Sequence, residues 1–220
     1  IKKEGISAQE SAYISREVLI KYREGLVWGA MMGPFGGCFA IRKDSYCKVP
    51  KNFFMDDFFI NMKVIQQGKK TINSLEAVVY EDVSNKLIEE YRRKVRISIG
   101  NFQNLTEFYR MLWPPYKGSA FAFLSHKVLR WFGPFFLLMS LVASTILSFH
   151  SHFYLVLLAV QLFLYLLPLF DFLLRLINIH SLVLRFATHF FSMNIALLHG
   201  LIKFLKGVSS NVWQPTQRNQ

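Results

Sequence analysis

The spacing of hydrophobic and polar positions changes along the chain and divides it into an amphipathic region followed by an almost wholly apolar one. Ser7-Ala8-Gln9-Glu10 has the form of a capping box, in which Ser and Glu each satisfy an otherwise unpaired helix donor. Ile14, Val18 and Tyr22 follow at helical spacing and Gly25 is a natural stop, which predicts a scaffold helix of roughly 15 residues. The short run Phe39-Ala40-Ile41 reads as a buried strand. A second helix is expected over 56–68, with Phe58, Met62 and Ile65 on one face and Gly68 closing it. Ala77-Val78-Val79-Tyr80 reads as a further strand, followed by acidic Glu81-Asp82. Ser84 or Asn85 then caps a helix whose Leu87, Tyr91, Val95 and Phe102 line one side.

Trp113-Pro114-Pro115 ends this region. Residues 131–149 and 153–170 contain no Asp, Glu, Lys or Arg, and each run is long enough to span a bilayer. His150-Ser151-His152 makes the turn between them, and Lys127, Arg130 and Arg175 at the far ends place those ends in the cytosol. The segment 182–205 differs. Arg185, His189, Ser192, Ala196, His199 and Lys203 fall at intervals of four, three, four, three and four, a small or polar stripe on an apolar helix. A helix lying in the interface keeps Lys203, Lys206 and Arg218 on the cytosolic side; a third span whose stripe packs on other helices is the alternative. His189 and His199 are too far apart along a helix to share a metal ion. The expected organisation is a soluble domain over 1–112, a connection over 113–126, a membrane region over 127–207 and a cytosolic tail over 208–220. Its spans fall at about 128–149 and 153–171.

Charge narrows the class of partner. The chain carries a net +12, so an anionic partner is expected: a phosphorylated substrate or anionic lipid. Nucleic acid is not expected, because the basic residues do not interleave with aromatics in a recognised module. Cys38 and Cys47 match neither a zinc pattern nor a disulfide framework, which fits a reduced, cytosol-facing domain. The chain starts at Ile1 with no signal peptide, and an N-terminal truncation is expected.

Candidate chemistry concentrates over 33–96. Gly33-Pro34-Phe35-Gly36-Gly37-Cys38 is a loop in which a ligand can approach the main chain. Asp56 and Asp57 sit at a helix N-terminus, where they are either a simple cap or a reactive carboxylate pair. Arg92 and Arg96, and Arg93 and Arg96, share a helix face that is either solvated or a clamp for phosphate oxygens.

The order of these pieces resembles the family 2 glycosyltransferases, the membrane-bound group that includes cellulose, chitin and hyaluronan synthases. The 33–42 stretch is similar to their glycine-containing acceptor loop. Asp56-Asp57 with Gly68 resembles their E-D…G-Y element, and Arg93-Lys94-Val95-Arg96-Ile97 stands where they carry Q-x-x-R-W. Ser125-His126-Lys127, Arg130-Trp131 and Trp213-Gln214-Pro215-Thr216-Gln217-Arg218 resemble smaller bacterial members. The resemblance implies an α/β fold, the C-terminal half of a GT-A (nucleotide-diphospho-sugar transferase) domain followed by a helical membrane region. It implies an inverting enzyme that moves a sugar from a nucleotide-sugar donor to a lipid-linked or polysaccharide acceptor at the cytosolic face of a bacterial inner membrane. Asp57 would be the catalytic base and Asp56 its support. Gly36, Gly37 and Cys38 would line the substrate, and Arg93 and Arg96 would hold the leaving diphosphate. A divalent cation, Mg2+ or Mn2+, would be ligated by an Asp-x-Asp upstream of these motifs, in a donor-binding half that is missing. Arg93 in place of Gln and Ile97 in place of Trp depart from the pattern, and the lost Trp removes a stacking surface for an acceptor sugar. The competing expectation is a non-catalytic membrane anchor or assembly subunit with a basic cytosolic domain.

Overall fold

The computed structural model describes residues 7–79, 87–115 and 117–208. Ile1, Tyr80, Glu81-Asp82, the Ser84 or Asn85 cap and the 213–218 run lie outside the described residues, as do the side chains of the expected capping box. The fold is built from α1 (Ser7–Trp28), α2 (Asp56–Gln66), α3 (Leu87–Phe108), α4 (Gly118–Ala122), a π-helical turn (Phe123–Val128), α5 (Leu129–Trp131), α6 (Gly133–Ser148), α7 (His152–Leu176) and α8 (Leu182–Leu205).

This corrects the expected fold class. The described residues are 72 % helical and essentially without strands, so they form an all-helical fold rather than an α/β one containing half of a GT-A domain. Among the described residues the only strand-like pairing is an isolated parallel bridge between Ala30 and Thr71. A strand needs a neighbour to satisfy its backbone and cover its apolar face. Neither expected strand has one: Phe39 is exposed, and Val78 and Val79 are 64 % and 56 % exposed.

Helix α1 also runs past its expected end. Gly25 lies inside it, where a Cβ would come within 3.1 Å of the Ile72 backbone, so glycine there permits close approach of the 71–73 segment. The turn out of the helix falls instead at Gly29, whose positive φ of 62° costs a residue without Cβ little. In α2 the expected apolar face is present, with Phe58 and Met62 buried and Ile65 packed beside them.

The core forms where α2 and α3 meet the helical run at 118–131. Phe58 lies 5.9 Å ring to ring from Trp131, Phe123 5.9 Å from Trp131, and Phe59 5.4 Å from Phe108. Burying large aromatic side chains supplies the main cohesion at this junction. The start of α2 is thereby fixed against the segment that leads into α6.

The apolar region has two helices long and apolar enough to cross a membrane, α7 and α8. The expected span at 128–149 is broken. Residues 118–131 and 133–148 meet at a 63° bend around Phe132, and Pro134, which lacks an N–H, opens α6. The two pieces count as one further candidate span only if taken together. Helix α6 alone, at 16 residues, is about 24 Å long, short of the roughly 30 Å hydrocarbon thickness.

Most of the stripe on α8 faces protein, while Lys203 at its end is exposed. Ala196 and Gly200 are buried, His199 Nδ1 lies 3.0 Å from the Tyr91 hydroxyl, and Ser98 Oγ donates to the Leu197 carbonyl at 2.7 Å. Towards its start, Thr188 Oγ1 donates to buried Asp171 on α7 at 3.0 Å, and Arg185 approaches the same carboxylate at 3.9 Å. Helix α8 thus packs on both α3 and α7.

Candidate functional site

The site is assembled at the N-terminus of α2. Met55, the residue before the helix, has φ 55°, a left-handed conformation that is unusual for a side chain of this size. It is held from α3. Phe54 N–H donates to Gln103 Oε1 at 2.8 Å, and Gln103 Nε2 donates to the Asn52 carbonyl at 2.9 Å. Gly100 of α3 leaves room for Met55, since a Cβ there would meet Met55 Cγ at 2.5 Å. Such locally strained backbone persists only where its surroundings hold it. Here it fixes where Asp56 and Asp57 begin the helix.

The two carboxylates are unequal. Asp56 is exposed, whereas Asp57 is partly buried under the glycine loop. A Cβ on Gly36 would lie 2.8 Å from Asp57 Oδ2, so the loop backbone sits on the carboxylate. Asp57 Oδ1 accepts from the Phe58 N–H at 2.7 Å. Burial pushes the Asp57 carboxyl above the usual range and Asp56 adds to this, while the Phe58 amide, Lys21 and Lys127 pull it back. A carboxylate with a raised proton affinity is suited to act as a base.

Of the expected arginines, the structure brings Arg96 to this site and gives Arg93 another partner. Arg96 is half-buried, and burial, with Arg93 beside it, presses its guanidinium below the ordinary value, while Asp57 and Asp56 favour its charge. Arg93 turns back along α3. Its Nε and Nη2 each donate at 2.8 Å to one oxygen of Glu90, whose side chain is buried. That bidentate fork is occupied by a carboxylate. Gly37 and Cys38 are exposed at the outer end of the loop, where the Cys38 N–H closes a turn onto the Phe35 carbonyl at 3.1 Å.

A second group of residues at the site was not anticipated from the sequence. Among the described residues, the side chains that α1 buries are charged: Glu17, Lys21 and Glu24, at 5 %, 5 % and 4 % exposure. His126 bridges two of them, with Nδ1 2.6 Å from Glu24 and Nε2 2.9 Å from Glu17. Lys127 and Arg130 also pair with Glu17, and Arg130 donates to the Tyr13 hydroxyl at 2.9 Å. Burial alone would raise the Glu17 carboxyl, but His126 and Lys127 outweigh it and hold Glu17 far below the carboxylate range. Glu24 reaches onward and accepts the Met32 N–H at 2.9 Å. Lys21, one turn away, places its Nζ 3.4 Å from the Pro34 carbonyl and 3.7 Å over the Phe35 ring. The signal available in the sequence was the spacing of 17, 21 and 24, a single helix face made of ionisable residues, facing a His-Lys pair followed by Arg130.

Among the described residues, no group of three or more His, Cys, Asp or Glu is placed to hold a metal ion. Asp56 and Asp57 do not form a ligand set by themselves, and His126 is taken up by Glu17 and Glu24. The described residues thus offer no site for the divalent cation, whose ligands the resemblance puts upstream of these motifs.

No family model, no curated protein and no solved structure matches this chain.

Proposed function

We propose that the protein takes part in glycosyl transfer at a membrane, with Asp57 as the general base. Asp57 would accept the proton of an acceptor hydroxyl as that oxygen attacks the anomeric carbon of a nucleotide-sugar, inverting it. Arg96, within electrostatic reach of Asp57, would stabilise the charge that develops on the departing diphosphate. The observation that carries this reading is Asp57 itself: a partly buried carboxylate with raised proton affinity, covered by the Gly36 backbone, with an arginine nearby. The apolar helices support a membrane setting, the basic residues flanking them favour a cytosolic site, and the likeness to smaller bacterial members would make the membrane a bacterial inner one. Because α2 is packed against the segment entering α6, a lipid-linked acceptor is favoured over a long polymer. No residue is assigned to the nucleoside or to a metal.

A second reading is a non-catalytic assembly subunit. Its support is apolar surface around the end of α1, where Leu26, Val27 and Ile72 are 67 %, 69 % and 68 % exposed. The two readings separate at Asp57. Asp57→Asn, in the protein expressed from its complete reading frame, is expected to lower sugar transfer in isolated membranes by about 100-fold or more while leaving expression and insertion intact. Undiminished transfer from labelled nucleotide-sugars would remove Asp57 from the role, and the subunit reading would replace it.

A further inference from the structure

The glycine loop over Asp57 is held at two points by one face of α1. Glu24 takes the Met32 amide at the loop's entry, and Lys21 meets the Pro34 carbonyl and the Phe35 ring within it. The next loop residue is Gly36, whose backbone lies on the Asp57 carboxylate. Lys21 is itself 5 % exposed, too buried to meet a ligand directly, so what it acts on is the loop.

The groups that face Lys21 come from three elements. Glu17 and Glu24 stand one turn either side of it on α1, Asp57 lies opposite at the start of α2, and Lys127 approaches from the π-helical turn. The ammonium therefore sits between three carboxylates and one cation, with an aromatic face beneath it. Every attractive contact in this arrangement except the hydrogen bond depends on the positive charge.

We propose that Lys21 is a positioning residue, a latch whose ammonium holds the 33–37 loop over Asp57 and loosens when it loses its proton. The direction of the switch follows from its surroundings. Burial, then Lys127, push the Lys21 ammonium down to about 7, against the pull of Glu17, Asp57 and Glu24. The latch is then closed on the acid side of neutrality and open on the alkaline side. Through Glu17, Glu24 and His126 the same face of α1 is tied to the helix that leads into the membrane region, so the loop and the membrane entry share one set of supports.

The consequence for transfer rests on the reading of Asp57 above, but the latch can be read without substrate. Amide hydrogen exchange followed by mass spectrometry, on the full-length protein in detergent, reports the loop amides directly. After correction for intrinsic exchange, protection of the peptide covering 32–38 is expected to fall by about threefold or more between about pH 6 and about pH 8, while α2 and α3 peptides stay level. Lys21→Met should show the alkaline level of loop exchange already at acid pH. Lys21→Arg, which stays charged, should keep the loop protected at both. Flat loop protection in the wild type across this range overturns the proposal, and so does a folded Lys21→Met that matches the wild type at acid pH. If Lys21→Met does not fold, the wild-type series and Lys21→Arg decide the question alone. A negative transferase assay with a pH-dependent loop would leave the latch standing and count only against the catalytic reading.

Discussion

Gly36 stands so close to Asp57 that a methyl group on its Cα would lie 2.8 Å from Oδ2. One of the two must then move. The carboxylate is the free end of a side chain, so it turns more cheaply than the backbone. Gly36→Ala is therefore expected to leave the fold intact, with a thermal midpoint within about 2 °C of wild type. If Asp57 is the proposed base, sugar transfer should fall by about tenfold or more, because a base displaced by a fraction of an ångström loses its alignment. Unchanged transfer kinetics would show that Asp57 does not need its observed position.

Arg93 and Arg96 part company: Arg93 pairs with buried Glu90, while Arg96 lies in reach of Asp57 and has the proposed binding role. Replacing Arg93 by Gln strips buried Glu90 of its bidentate partner and leaves Lys94 at 3.5 Å as its remaining cation. The expected cost is about 1–3 kcal/mol of folding stability, measured by denaturation in detergent. Arg96→Gln is expected to change stability less and to weaken binding of nucleoside diphosphate, read by inhibition of transfer. If Arg93→Gln lowers diphosphate affinity and leaves stability alone, the assignment of the two residues is reversed.

The helices were readable where their periodicity was strong. The apolar faces of α2 and α3 and the middle of the stripe on α8 appear in the structure as packed surfaces. The strands failed because a short apolar run such as Phe39-Ala40-Ile41 specifies an extended segment, not a partner for it, and no described segment pairs with it. Asp57, Gly36 and Arg96 could be singled out by the order of the motifs they stand in, and the structure sets Gly36 against Asp57 with Arg96 in electrostatic reach. Glu17, Lys21 and Glu24 could not, because a helix face of ionisable residues ordinarily faces water. Only the fold reveals that His126, Lys127 and Arg130, more than 100 positions along the chain, close over it.

The α3–α8 contact allows a test of how far the site depends on α8. A Cβ at Gly200 would lie 2.3 Å from Ser98 Cβ and 2.7 Å from the Val95 carbonyl, and a main-chain oxygen cannot swing aside. Gly200→Leu should force α8 away from α3 and cost about 1–3 kcal/mol. Because Arg96 lies on α3 between Val95 and Ser98, transfer should weaken along with stability. Leu198→Ala, at a partly exposed position two residues earlier, is expected to do neither. A fully active, stable Gly200→Leu would mean that α8 and α3 are not packed together as described.

Glu17 should be a costly carboxylate to neutralise. It is 5 % exposed and serves His126, Lys127 and Arg130, so Glu17→Gln leaves two cations and a histidine short of one partner. The expected loss at neutral pH is about 3 kcal/mol. Glu107→Gln is the matched control, since its pair with Lys63, 2.7 Å apart, is substantially exposed. Such a pair contributes about 0.5 kcal/mol. The pH dependence follows from the sign of the Glu17 shift. Its folded-state proton affinity is depressed below the usual 4.5, so its contribution is complete above that pH and is lost as the pH falls towards the folded value. The stability gap between wild type and Glu17→Gln should therefore narrow steadily in acid, while the Glu107 control stays close to wild type throughout. A gap that stays constant in acid would mean that Glu17 is held by packing rather than by the charges around it.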